Sequence, residues 1–220
     1  APYAVLEGGF TLAQAYKFFP KSTVHVAVVD PGVGTTRRPI LVEAAGQYFI
    51  GPDNGIFSFL YAREKHSVRA ITNEKFMLNN RSNTFHGRDI FAPCAAYLAK
   101  GAKPAQFGKL IHDATLLSNL TPVRMGKRVW TGTVLRVDHF GNLITNLDLP
   151  EFAAVLTRPF ELLVGMHAVR QYCANYQQAE PGEPFVIAGS SGFLEVSLRE
   201  ASAARTLGCA AGTPVELMLA

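Results

Sequence analysis

Apolar positions in the first half of the chain follow two periods in turn, and those in the second half follow one. Over residues 11–19, Leu12, Ala15, Tyr16 and Phe19 recur at spacings of three and four, which predicts an amphipathic helix closed by Pro20. Val24, Val26, Val28 and Val29 then crowd β-branched side chains into a short apolar run that stops at Asp30, Pro31-Gly32 and Gly34. The expectation is a buried strand over 24–29 with Asp30 at its carboxyl end, the end at which open α/β sheets bind ligands. Beyond it, the Gly32-Val33-Gly34 loop lets backbone approach a ligand closely. It also lets Arg37 fold back toward Asp30, either to pin the loop or to serve chemistry.

Residues 39–42 and 47–50 read as a hairpin about Ala45-Gly46, followed by Gly51-Pro52-Asp53-Asn54-Gly55. Asp53 and Asn54 are the residue types that build such a turn with their own side chains. A helix is expected to start over 56–61 and a strand to run over 68–71. A polar loop at 79–83 then leads to Thr84-Phe85-His86-Gly87-Arg88-Asp89 and a helix over 90–99, with Pro93 in its first turn and Gly101 at its end. His86 stands just ahead of that helix, and Asp89 is placed to cap it or to favour its dipole.

After a boundary near residues 121–126 the pattern becomes uniform. Residues 129–137, 143–147, 160–164, 167–172, 184–188, 193–198 and 214–219 are short extended runs separated by turns, the first turn being Asp138-His139-Phe140-Gly141-Asn142. The predicted fold is an α/β N-terminal domain over 1–122, a mixed central sheet flanked by helices. A smaller all-β C-terminal domain, barrel- or sandwich-like, follows over 127–220.

Composition narrows the function more than the fold. Hydrophobic residues are 48% and charged residues 17% of the 220, enough for packed cores and too apolar for disorder. The net charge is +4, but the basic residues are scattered, with Arg124, Lys127 and Arg128 the densest group. Nucleic-acid binding wants a stripe or patch, so a small ligand is the more natural partner. Neither a membrane span nor a signal peptide is read in the sequence, and a cytoplasmic protein is expected. Cys94, Cys173 and Cys209 are odd in number and far apart, which suits core filler in a reducing compartment. The aspartates and histidines lack ligand spacing, so no metal is expected.

Four blocks, in this order, resemble one family. They are Val28-Val29-Asp30-Pro31-Gly32-Val33-Gly34-Thr35 with Arg37-Arg38; Gly51-Pro52-Asp53-Asn54-Gly55; Thr84 to Pro93, reading Thr-Phe-His-Gly-Arg-Asp-Ile-Phe-Ala-Pro; and Asp138 to Asn146, reading Asp-His-Phe-Gly-Asn-Leu-Ile-Thr-Asn. Ser191-Gly192-Phe193-Leu194-Glu195-Val196 is a looser fifth. Together they are similar to the S-adenosyl-L-methionine hydrolases, or SAM hydroxide adenosyltransferases, whose relatives are fluorinase and chlorinase. The resemblance implies hydrolysis of S-adenosyl-L-methionine to adenosine and L-methionine, with no cofactor and no metal. It also implies a homotrimer whose substrate lies between one subunit's first domain and its neighbour's second.

Carried over residue by residue, the resemblance makes Asp30, Arg37 and His86 the catalytic set and puts Phe85 and Gly87 beside the reacting carbon. Asp138, Phe140 and Asn142 line the adenosine or methionine side, Tyr176 stacks on adenine, Ser191 meets the methionine end, and Arg199 to Ala201 meet the adenine edge. Arg199 stands where the family prefers Asn, and Ala201 where it prefers Gly. The family pattern also opens with a strand and a Thr-Asp-Phe-Gly turn whose aspartate grips the ribose hydroxyls, a front unit that the sequence from Ala1 onward does not supply. The chemistry suits these residues: a sulfonium leaves as a neutral thioether without a general acid, so the site must position and activate one water. Arg37 is the lasting cation, Asp30 its orienting partner, and His86 either proton acceptor or water holder. Two other readings remain: a halide-using relative, and a protein that binds adenosine or S-adenosyl-L-methionine without turnover.

Overall fold

A computed structural model describes residues 3–220 and divides the chain into two compact units, the first ending at Ser118 and the second running from Asn119 to Ala220. In the first unit, helix α1 (Val5–Ala15) continues into a 3-10 turn at Tyr16–Phe18. It begins well before the predicted 11–19; Gly8 and Gly9, poor helix formers inside it, hid that start from the sequence pattern. A β-carbon at Gly9 would come within 2.5 Å of the Ile56 carbonyl oxygen, so close packing accounts for the glycine.

Strand β1 (Val24–Val26) is shorter and less buried than the strand expected over 24–29. It pairs in parallel with β3 (Gln47–Pro52) and, among the described residues, with nothing on its other side, which leaves Val26 and Val28 exposed. Strand β2 (Pro39–Ala44) forms the expected hairpin with β3 through Ala45 and Gly46, whose φ angles of +54° and +73° are those of a primed two-residue turn. With β4 (His66–Ala70) and β5 (Leu110–Ile111) the sheet order is β1-β3-β2-β4-β5. Both faces are covered. Ile40 and Val42 pack with Tyr16, Phe57 and with Leu60 of α2 (Ser58–Arg63), whereas Leu41 and Ile50 pack with Phe91, Phe107 and with Cys94 and Leu98 of α3 (Ala92–Ala99). Ahead of α3 the chain makes a single π-helical turn, Gly87–Phe91, closed by the Ala92 amide on the Gly87 carbonyl.

The second unit is built on antiparallel strands: β6 (Val123–Arg124), β7 (Val129–Val137), β8 (Leu143–Asp148), β9 (Phe160–Val164), β10 (His167–Val169), β11 (Phe185–Ala188), β12 (Phe193–Ser197) and β13 (Pro214–Leu219). They run β10-β9-β13-β7-β8-β12-β11, with β6 beside β7. The expected strand over 167–172 pairs only to Val169. The chain then leaves β9, and Tyr172 bridges Val186 of β11 at the far end of the path, so the sheet is a nearly closed barrel around Leu143, Phe152, Leu162, Val196 and Leu217. Two short helices that the apolar pattern did not reveal, α4 (Leu149–Phe152) and α5 (Ala203–Thr206), cover it.

Cys94 in the first unit and Cys173 and Cys209 in the second are unpaired and buried. No helix among the described residues is long and apolar enough to cross a membrane.

Candidate active site

Asp30, Arg37 and His86 meet in the first unit. Arg37 donates from Nε to Asp30 Oδ1 at 3.0 Å and from Nη2 to Asp30 Oδ2, and Nη2 also meets His86 Nδ1 at 2.7 Å. The two charged side chains are almost sealed, at 8% and 5% exposure, and the Arg37 guanidinium lies 5.3 Å above the Phe91 ring. A guanidinium only donates, so Nδ1 accepts and the imidazole proton sits on Nε2. Burial and then the Arg37 charge hold His86 below its ordinary pKa, against the opposing pull of Asp30 and Asp89. The imidazole is neutral near pH 7.

Local sequence explains this convergence. Gly34, at φ +80°, passes so near the Asn83 carbonyl that a β-carbon would lie 2.6 Å from its oxygen, which brings the loop after Asp30 against the loop before His86. Thr35 closes the first loop by donating from Oγ1 to the Gly32 carbonyl at 2.7 Å. Asp53 and Asn54 do more than make their turn. Asn54 donates to the Val29 carbonyl at 2.8 Å, just before Asp30, while Asp53 takes Arg38 Nε and Nη2 at 2.9 and 2.6 Å and the Thr115 amide at 2.8 Å. The second sequence block therefore anchors both flanks of the first.

Asp89 lies in the first turn of the Gly87–Phe91 segment, as the dipole alternative required, but makes no capping bond to the following helix. Its fully buried carboxylate instead receives Arg88 Nε at 2.6 Å and the Ser82 amide at 2.7 Å, which tie down the loop leading to His86 and hold its pKa below the usual range. The π-turn had no sequence signature. It widens the helical turn so that His86 and Phe91, five residues apart, both face Arg37. Gly87 has open space where a β-carbon would be, and Phe85 is 60% exposed.

In the second unit the structure gathers Phe140, Asn142, Tyr176 and Ala201 around a cavity of about 490 Å³, together with Glu200, which falls within the expected stretch 199–201, and Ser202 and Arg205, which sequence reasoning missed. These three sit in and just after the turn that leads into α5, an element with no apolar stripe to reveal it. Asn142 is buried, and its Nδ2 donates to Asp138 Oδ2 at 2.9 Å and to the Tyr176 hydroxyl oxygen at 3.1 Å. Asp138 Oδ1 accepts the Phe140 and Asn142 amides at 2.9 and 2.8 Å, so this carboxylate organises its own turn. Phe140 is 76% exposed, and Tyr176 stands edge-on to Phe185. Ser191 and Arg199 do not line the cavity. Ser191 donates to the buried Glu195 at 3.2 Å, and Arg199 lies 3.9 Å from Glu200. Burial, reinforced by Asp138, raises the Glu195 pKa. No group of three metal-ligating side chains occurs among the described residues.

Comparison with known proteins gives a consistent result. Residues 1–108 match the model of the SAM hydroxide adenosyltransferase N-terminal domain, and residues 132–216 match that of the C-terminal domain. An (R)-S-adenosyl-L-methionine hydrolase of Salinispora tropica is 39% identical over 96% of this chain and 80% of its own. One of Thermus thermophilus is 34% identical over 99% and 84%. A fluorinase of Actinopolyspora mzabensis is 25% identical over 92% and 79%. A solved structure of an uncharacterised conserved protein from Thermotoga maritima superposes with a TM-score of 0.86 at 32% identity, over 99% of this chain and 85% of that one.

Proposed function

The chain belongs to the SAM hydroxide adenosyltransferase family, and from that premise we propose how it works as an S-adenosyl-L-methionine hydrolase, an enzyme that yields adenosine and L-methionine. The observation that carries the mechanism is the Arg37 guanidinium, shared between Asp30 and His86 in a nearly sealed setting. Of its five donor hydrogens, Nε spends one and Nη2 two, which leaves the pair on Nη1 for a water. His86 offers a further donor at Nε2. The unspent Nη1 pair and the fixed positive charge of Arg37 favour hydroxide over water, whose ordinary pKa is about 15.7.

The nucleophile forms when that water loses a proton to solvent. Hydroxide then attacks C5′ of the ribose in line with the C–S bond, and the bonding pair leaves with sulfur, turning the sulfonium into the neutral thioether of methionine. Opposite charges vanish as the bond forms, so a site shielded from water speeds the step. With Nδ1 occupied by Arg37 and Nε2 already protonated, His86 acts as water holder and not as base.

Phe85 and Gly87 flank the reacting carbon in this reading. For adenine, Asn142 spends both amide hydrogens on Asp138 and Tyr176, so its Oδ1 accepts the exocyclic amino group. Phe140, Tyr176 and the backbone around Arg199 to Ala201 complete the purine site. Ser191 and Asp138 serve the amino-acid end. The working enzyme is a cytoplasmic homotrimer, which lets residues of both units contribute to one active site.

The test is turnover in ¹⁸O-labelled water, followed by mass spectrometry. One ¹⁸O in the 5′-hydroxyl of adenosine, with unlabelled methionine, is expected. Label elsewhere, or binding without methionine release, overturns the mechanism. A 5′-halo-adenosine formed in chloride or fluoride would move the assignment to a halogenase.

A further inference from the structure

Two arginine–phenylalanine stacks flank the same π-turn, and only one belongs to the machinery above. Inside, Arg37 lies over Phe91. Outside, the Arg88 guanidinium lies 5.0 Å above the ring of Phe85, whose carbonyl also accepts the Arg88 and Asp89 amides at 3.1 and 3.0 Å. Arg88 is itself fixed. Its Nε and Nη2 reach the Asp89 carboxylate at 2.6 and 3.2 Å, and that carboxylate is fully buried although Arg88 is 63% exposed.

A buried anion thus orients a surface cation, which in turn sits on an exposed aromatic ring immediately before His86. Phe85 is 60% exposed, and hydrophobic packing at that level does not fix a rotamer. A cation held on the ring face does. Lysine would keep the charge but not the two-point grip on Asp89, so the fork of arginine matters here.

We propose that Arg88 is a positioning residue for the hydrolysis. It clamps the Phe85 ring in the orientation that walls the reacting carbon and keeps bulk water off the single nucleophile. The inference rests on the hydrolase reading and adds a residue that does not touch substrate. Arg88→Gln is expected to lower kcat by roughly tenfold with a smaller change in KM, because a misplaced wall weakens the transition state more than ground-state binding. Arg88→Lys should recover part of that loss.

Since Arg88→Gln leaves the Asp89 carboxylate without its cation, Asp89→Asn is measured beside it and circular dichroism checks that each variant folds. In the otherwise native chain, Arg88→Gln and Phe85→Leu are combined in a double-mutant cycle. The two losses are expected to overlap: once Phe85 is leucine, Arg88→Gln costs at most about twofold. Independent, multiplying losses, or an unchanged kcat for Arg88→Gln in folded protein, overturn the proposal. An inactive wild-type enzyme would instead overturn the hydrolase reading, so the two failures are distinguishable.

Discussion

Replacing Arg37 with lysine keeps a positive charge but cannot bridge Asp30 and His86 while still facing a water. Arg37→Lys is expected to fold and to lose about 10²- to 10³-fold in kcat, the range for removing one preorganised donor. Adenosine release, measured beside circular dichroism, checks this, and wild-type turnover would remove Arg37 from the mechanism. His86 gives a pH prediction of definite sign. Its pKa lies below the ordinary imidazole value, so folding lowers its affinity for protons and unfolding takes one up. Its contribution to stability is complete above about pH 6.5 and is lost as pH falls through the folded value, and its hydrogen bond from Arg37 is lost with it. A pH–rate profile should therefore show kcat rising with pH as the water ionises, with any separate step from His86 lying below about pH 6.5. A step above that value would contradict the neutral, Nε2-protonated imidazole.

The hairpin of β2 and β3 was legible because alternating apolar positions and Ala45-Gly46 agree on one register. The π-turn over Gly87–Phe91 was not, since no residue type demands five-residue spacing and only tertiary contacts with Arg37 reveal its use. For the same reason, sequence reasoning could suggest that Arg37 returns to Asp30, seven residues away, but needed a family resemblance to add His86. Gly87 offers a clean separation of fold from chemistry. Its β-carbon position is open and its φ is not positive, so Gly87→Ala should leave the thermal midpoint unchanged while lowering turnover roughly tenfold or more. Unaltered turnover would mean that the space beside His86 is not used. Asp53 is the opposite case, a carboxylate that serves architecture. Asp53→Ala removes the partner of Arg38 and the acceptor of the Thr115 amide, and should cost about 2–3 kcal/mol by urea denaturation. A change near zero would show that the turn holds without its clamp.

Each unit has its own core and carries its own half of the proposed chemistry, with Asp30, Arg37 and His86 in the first and the Asn142–Tyr176 cavity in the second. The change of period near residue 121 is the sequence feature that suggests two domains, whereas assembly leaves no such mark, because a subunit contact imposes no repeat on the apolar pattern. The proposed trimer makes a sharp prediction. Protomers inactivated by Arg37→Lys, mixed and reassembled with protomers inactivated by Asn142→Ala, should regain about a quarter of wild-type activity, since random assembly pairs two intact halves at one site in four. No recovery after verified exchange would place both halves of the site within one chain. Finally, the three thiols lie within these cores, and burial raises all their pKa values, that of Cys94 to about 12. Almost no thiolate is present at neutral pH, so an alkylating reagent gains entry only when a unit opens. Cys94 labelling then clocks the breathing of the first unit and Cys173 with Cys209 that of the second, giving two built-in stopwatches on one polypeptide without any engineered probe.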